Sequence, residues 1–160
     1  MSTGTDGEGV ASITIRGLVA GLAGTFLLGA FERMERYALG REPVYAPGRI
    51  VTRLSGRMGI ALTPTQTRQW GGAMRWLYGP VLGVASRLIR PSPSSRAGRV
   101  IRTSATIFGF ELVVLPLLGA VPPLGDWPIV EIVSLAAHTT AFALGAEAPA
   151  VARAAATVIL

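Results

Sequence analysis

The distribution of charge along this chain leaves it few ways to fold. From Gly17 to Phe31 there is no charged residue, and from Thr103 to Gly125 Glu111 stands alone. A third apolar stretch, from about Pro128 to Gly145, carries Glu131 and His138, and a fourth, Gln69 to Ser86, carries Arg75. A helix needs about 20 mainly apolar residues to cross the hydrocarbon core of a bilayer. Between these stretches lie arginine-bearing segments, seven arginines from Arg33 to Arg68 and five from Arg87 to Arg102. Basic loops flanking apolar runs mark the ends of membrane spans. The apolar runs lack sustained two-residue alternation, which argues against strands.

Composition supports this reading. The chain has 160 residues, the length of one domain, and only 15% of them are charged, against about 25% in a soluble domain. Its mean hydropathy is +0.48. All fifteen basic residues are arginine, and nine acids leave a net charge of +6. Such basicity can mark a nucleic-acid binder. Here the arginines sit between apolar segments, so a nucleic-acid partner is not expected. The absence of cysteine excludes disulfides, thiolate metal sites and cysteine nucleophiles, and a single histidine excludes multi-histidine metal centres. No cofactor or metal is implied.

The expected fold class is therefore all-α. The chain reads as a polytopic membrane protein, a bundle of three to four transmembrane helices plus a short amphipathic surface helix. Residues 1–10 read as a disordered tail and a cleaved signal peptide is not expected. Residues 11–150 read as a single transmembrane domain, with helices near 11–37, 69–88, 102–119 and 128–147, and residues 151–160 as a C-terminal extension. The second of these helices is the weakest, since Arg75 interrupts it and Pro80 lies inside it. If it crosses, the two basic loops fall on opposite sides of the membrane; if it does not, they share one side.

Small residues recur at four-residue spacing in Gly17-x-x-x-Gly21, Ala20-x-x-x-Gly24 and Gly79-x-x-x-Gly83. That spacing lets helix backbones approach closely in lipid, within one chain or across a homo-oligomer. Between Pro47 and Pro64, Arg49, Arg53 and Arg57 share one helical face, while Ile50, Val51, Leu54 and Met58 fall on another. Two placements suit that pattern. The helix lies on the bilayer with its arginines toward anionic headgroups, or it packs on the protein's own body.

An ionisable side chain within a span is costly, and so is a functional candidate. Glu111 and His138 lie near the middles of their segments, which a short connection makes antiparallel neighbours. They are expected to meet at similar depth, as a structural pair fixing helix register or as a proton-carrying pair. Glu131, seven residues before His138, lies on roughly the same face. Arg75 is a candidate partner for Glu111, with Glu32 competing for it. No hydrolase elbow, metalloprotease helix or phosphate loop is present. Ser134 is near His138 in sequence but offers no convincing triad.

The chain resembles the YagU-type small inner-membrane proteins of bacteria. The resemblance runs from GLVAGLAG (Gly17 to Gly24) through Trp76-x-Tyr78-Gly79 to Glu111, LPLLGAVPP (Leu115 to Pro123), a Trp-Pro pair and His138. One departure is Arg75, where the family pattern often has a histidine. The resemblance implies a multi-pass helical protein of the bacterial plasma membrane and supplies no reaction, substrate or cofactor. The function expected is therefore non-enzymatic, structural or accessory to a membrane complex. The alternative is a small oligomeric proton-coupled transporter or channel using Glu111 and His138.

Overall fold

The computed structural model describes residues 5–40, 45–88 and 95–148, together with Val151 and Thr157. Among these residues the chain is helix and turn, with no strand. Helix α1 spans Thr5–Leu39, α2 Pro47–Arg57, α3 Pro64–Leu88, α4 Arg96–Leu117 and α5 Ile129–Ala146, with a single 3-10 turn at Leu124–Asp126. Helix α1 begins at Thr5, within the stretch expected as a tail. Most of the expected 151–160 extension lies outside the described residues.

Local sequence explains the boundaries. The α3 start is a reciprocal capping box, in which the Thr63 backbone N–H donates to Gln66 Oε1 at 2.9 Å and the Gln66 N–H donates to Thr63 Oγ1 at 3.3 Å. Two otherwise orphaned donors are thereby satisfied, and Pro64 occupies a first-turn position that needs no N–H. This box starts α3 five residues earlier than the apolar run suggests. Ser95 caps α4 by accepting from the Gly98 N–H at 3.0 Å, which moves its start well before residue 102. Past the ends of α1 and α4, Gly40 (φ 63°) and Gly119 (φ 62°) take the left-handed conformation that stops a helix without side-chain strain.

Helices α1, α3, α4 and α5 form an up-down-up-down bundle. Along α1, Gly17 lies against Val84, Gly21 against Gly79 and Pro80, and Gly29 near Arg75, so α3 runs antiparallel to it. The other side of α1 meets α5, with Gly24 on Phe142 and Phe31 on His138. Helix α4 packs on α5 through Ser104, whose hydroxyl lies 3.2 Å from Thr139 and 3.0 Å from Thr140. Helices α3 and α4 touch only lightly. The glycines matter because the α1–α3 and α1–α5 seams put backbone against backbone.

Helix α2 closes one end of the bundle. Ile50 is buried with Tyr45, Leu115, Trp127 and Leu135, an anchor of roughly 2 kcal/mol. Its apolar face therefore packs on the protein's own body, while Arg49, Arg53 and Arg57 are exposed. The opposite end is closed by an arginine clamp. Glu147, just past α5, is buried and is reached by Arg87 Nη2 and Arg99 Nε, each at 3.1 Å. Arg87 and Arg96 also donate to the carbonyls of Ala146 and Glu147 at 3.1 Å, satisfying the orphan acceptors of a helix C-terminus.

The bundle exposes large apolar side chains and buries several polar ones beside its apolar core. Phe26 is 71% exposed, Leu77 71%, Leu117 79% and Ile129 74%, whereas Thr25, Thr103, Glu131, Ser134, His138 and Thr139 are buried. Three helical stretches are long and apolar enough to cross a membrane: Gly9–Leu39, Arg96–Leu117 and Ile129–Ala146. Helix α3 is not among them.

Candidate functional site

In the half of the bundle nearer α2, four side chains from three parts of the chain converge on one hydrogen-bonded chain. Glu35 comes from the last turns of α1, Ser134 and His138 from α5, and Tyr45 from the connection before α2. The Tyr45 hydroxyl donates to Ser134 Oγ at 2.6 Å, and Ser134 Oγ donates to Glu35 Oε1 at 2.5 Å. The other carboxylate oxygen, Glu35 Oε2, lies 3.1 Å from His138 Nε2. On the far side of the ring, His138 Nδ1 is 2.7 Å from the Ser134 carbonyl oxygen and 3.1 Å from the Tyr45 hydroxyl. A carbonyl only accepts, so Nδ1 carries a hydrogen, which leaves Nε2 to meet the carboxylate.

Aromatic rings wall this chain. Phe31 meets the His138 ring edge-on at 5.1 Å, and Tyr45 stacks on Trp127 with centroids 6.0 Å apart. Trp127 is held in turn by its Nε1–H, which donates to the Pro122 carbonyl at 3.0 Å. Burial pushes the Tyr45 hydroxyl well above its ordinary ionisation range. The Ser134 hydrogen bond lowers it, and the nearby carboxylates of Glu35, Glu131 and Glu111 raise it again.

Next to His138 lies a cavity of about 70 Å³ between the four long helices. Glu111, Tyr78, Thr25, Thr139 and His138 all line it. The buried Tyr78 hydroxyl lies beside the Glu111 carboxyl without closing a well-formed hydrogen bond. The volume has room for a handful of waters at roughly 10–15 Å³ each, within a lining that is mostly apolar. Glu32 and Arg75, joined as an ion pair, line this cavity and also a wide outer groove beneath α2. They stand between the inner polar space and solvent.

The structure places the expected site residues as follows. Glu111 and His138 share the cavity, but His138 contacts Glu35 instead of Glu111, and of the two partners expected for Arg75 it is Glu32 that pairs with it. The reason is geometric. Helix α1 is inserted between α3 and α5, so its acidic turn reaches Arg75 and His138 before α4 does. Glu131 is buried near Tyr45. Gly17, Gly21, Gly79 and Gly83 lie in the α1–α3 seam, and Gly24 lies against α5. The shared basic face divides. Arg57 Nη1 donates to the Leu118 carbonyl at 2.6 Å, while Arg49 and Arg53 line the outer groove.

Sequence reasoning misses Glu35, Tyr45 and Glu147 as site residues. Glu35 carries a usable signal, since it follows Phe31 by four residues and shares its face. Glu147 also stands out as the only acid after His138. Tyr45 carries none, because a loop has no periodicity to place it. Comparison with family models, with curated proteins and with solved structures finds no match to this chain.

Proposed function

We propose that the chain is a multi-pass protein of the bacterial plasma membrane, that all four long helices cross together, and that its buried acids and histidine form a proton-exchange site served from the α2 end. The observation that carries this reading is the pattern of burial. Apolar side chains such as Phe26, Leu77, Leu117 and Ile129 face outward, as lipid contact requires, while the polar groups turn in. Helix α3 packs along α1 from Val84 to Arg75 and so lies at the same depth. Its polar side, Tyr78 and Arg75, faces the interior cavity, which is where a spanning helix tolerates such residues. Membership of the YagU-type family is part of the proposal and rests on the motifs given above.

The chemistry suits proton exchange better than catalysis. Ser134 gives its hydrogen to Glu35, and His138 Nδ1 faces a carbonyl, so neither is set as nucleophile and base. The chain from Tyr45 through Ser134 to Glu35 and His138 can take up or release a proton by small hydrogen shifts. The cavity is too small for most solutes. A second reading, a non-enzymatic accessory protein of a membrane complex, is favoured by the Glu147 clamp and the glycine seams, which close the far end.

Two measurements test this. The sequence has no cysteine, so Thr65→Cys and Ala97→Cys can be labelled with an impermeant maleimide in oriented vesicles. Labelling from opposite sides supports the crossing of α3, and labelling from one side overturns it. The single histidine gives an unambiguous NMR resonance in nanodiscs. A pH titration of that resonance that changes in Glu35→Gln supports proton exchange. A resonance fixed from pH 4 to 9 overturns it and leaves the accessory reading.

A further inference from the structure

The outer groove beneath α2 carries a charge imbalance that the buried site does not use. Its volume is about 760 Å³, within the range of ligand pockets. Arg49 and Arg53 of α2 and Arg68 of α3 line it, with the Glu32–Arg75 pair at its inner wall. Both acids on its lining are already engaged, Glu32 with Arg75 and Glu35 with Ser134 and His138. Among the described residues, Arg49, Arg53 and Arg68 contact no carboxylate. Three like charges gathered in one concavity repel each other, so the groove is built for an anion. The first turn of α2 borders it at Pro47, Gly48 and Arg49, without a side-chain cap, and adds backbone donors and the positive end of a helix dipole.

We infer that this groove binds the phosphate of an anionic phospholipid headgroup, held by the guanidinium groups of Arg49, Arg53 and Arg68. Arginine matches phosphate oxygens in a bidentate fork. The lipid source is favoured by what surrounds the groove. Trp76 lines it and is 51% exposed, and Trp70, on the same helix, is 60% exposed. Exposed tryptophans gather in the interfacial belt of a membrane, and Trp70 lies in the second turn of α3 with most of the helix beyond it. Next along α3, Leu77 and Val81 are 71% and 63% exposed, an apolar surface for acyl chains below a headgroup held in the groove. This is a discrete site between α1, α2 and α3. It differs from a basic face lying on the bilayer, since Arg57 is turned away to Leu118. It rests on the membrane placement proposed above but is independent of proton exchange.

The test is thermal unfolding of the full chain in neutral detergent, titrated with phosphatidylglycerol, with phosphatidylcholine or with inorganic phosphate. Phosphatidylglycerol is expected to raise Tm saturably and phosphatidylcholine to do so weakly. Each of Arg49→Gln, Arg53→Gln and Arg68→Gln should weaken the phosphatidylglycerol effect about fivefold, and the triple variant on the order of a hundredfold. All three arginines are exposed, so the variants should melt as the wild type does without lipid. Arg33→Gln, at the same end of the bundle but outside the groove, should leave the titration unchanged. Equal loss in Arg33→Gln overturns the site in favour of diffuse attraction. Equal stabilisation by inorganic phosphate alone overturns the lipid headgroup in favour of a soluble phosphate. Membrane placement is read separately, by the cysteine labelling above.

Discussion

His138 Nε2 lies 3.1 Å from Glu35 Oε2, a contact between the middle of α5 and the last turns of α1 that bridges 103 positions of sequence (138 − 35). The two side chains are 4% and 9% exposed, so whatever charge they carry is shielded from solvent. Ser134 binds the second carboxylate oxygen, and the second ring nitrogen faces a carbonyl.

Removing one member of such a buried pair leaves the other uncompensated. Glu35→Gln should therefore cost about 3 kcal/mol of unfolding free energy. Glu111→Gln, whose carboxyl faces the cavity and a tyrosine instead of a cation, should cost less than about 1 kcal/mol. Denaturation of both variants in mixed micelles checks the order. Equal losses would show that Glu111 supports the bundle as strongly as Glu35.

Tyr45 predicts an alkaline limit. Burial raises its ionisation in the folded protein above the ordinary value of 10.0, so from about pH 10 the unfolded chain gives up this proton while the folded chain keeps it. The contribution is complete below pH 10 and declines with rising pH, by at most about 1.4 kcal/mol per pH unit. The chain has no lysine or cysteine to titrate in the same window. Tyr45→Phe should flatten the fall in stability between pH 10 and 11.5. It should leave the tyrosinate absorbance of the folded protein unchanged over that range, because the folded chain keeps the Tyr45 proton there.

What can be read from the sequence follows from how each signal arises. Long apolar runs broken by at most one or two charges are a one-dimensional property, so α1, α4 and α5 are legible from the order of residues alone. The glycine spacing on α1 and α3 is legible too, because close backbone approach demands small residues at fixed intervals. The partner of His138 is not. Neighbours in sequence suggest α4, but helix order in space is set by which glycine seams interlock, and α1 wins the contact with α5. The division of Arg57 from Arg49 and Arg53 is hidden for a similar reason. Their shared face is a property of α2, whereas their separate partners belong to the helices around it.

The glycine seam makes a prediction with opposite signs at two sites. A Cβ built on Gly83 lands on the Gly17 carbonyl oxygen and the Gly21 backbone, while one on Gly109 meets nothing within 4 Å. Gly83→Ala should destabilise by about 1–3 kcal/mol through overpacking. Gly109→Ala, inside α4, should stabilise by up to about 1 kcal/mol. Melting both in the same detergent checks this, and a neutral Gly83→Ala would mean that α1 and α3 are not packed backbone to backbone.

The Glu147 clamp should control the far end alone. Its carboxylate is 4% exposed and meets Arg87 and Arg99, which are 24% and 30% exposed. The arginines are partly solvated, so the pair is worth less than a sealed one, about 2 kcal/mol. Glu147→Gln releases Arg87 from α3 and Arg99 from α4 together, which loosens three helix ends at once. Backbone hydrogen exchange in the first turns of α4 and the last turn of α3 should then speed up roughly thirtyfold, the rate equivalent of that free energy. Exchange in α2 and around His138 should stay as it was, because no contact of Glu147 reaches them. Acceleration at both ends would show instead that the bundle opens as one unit, and the one-sided access proposed for the proton-exchange site would then lose its closed floor.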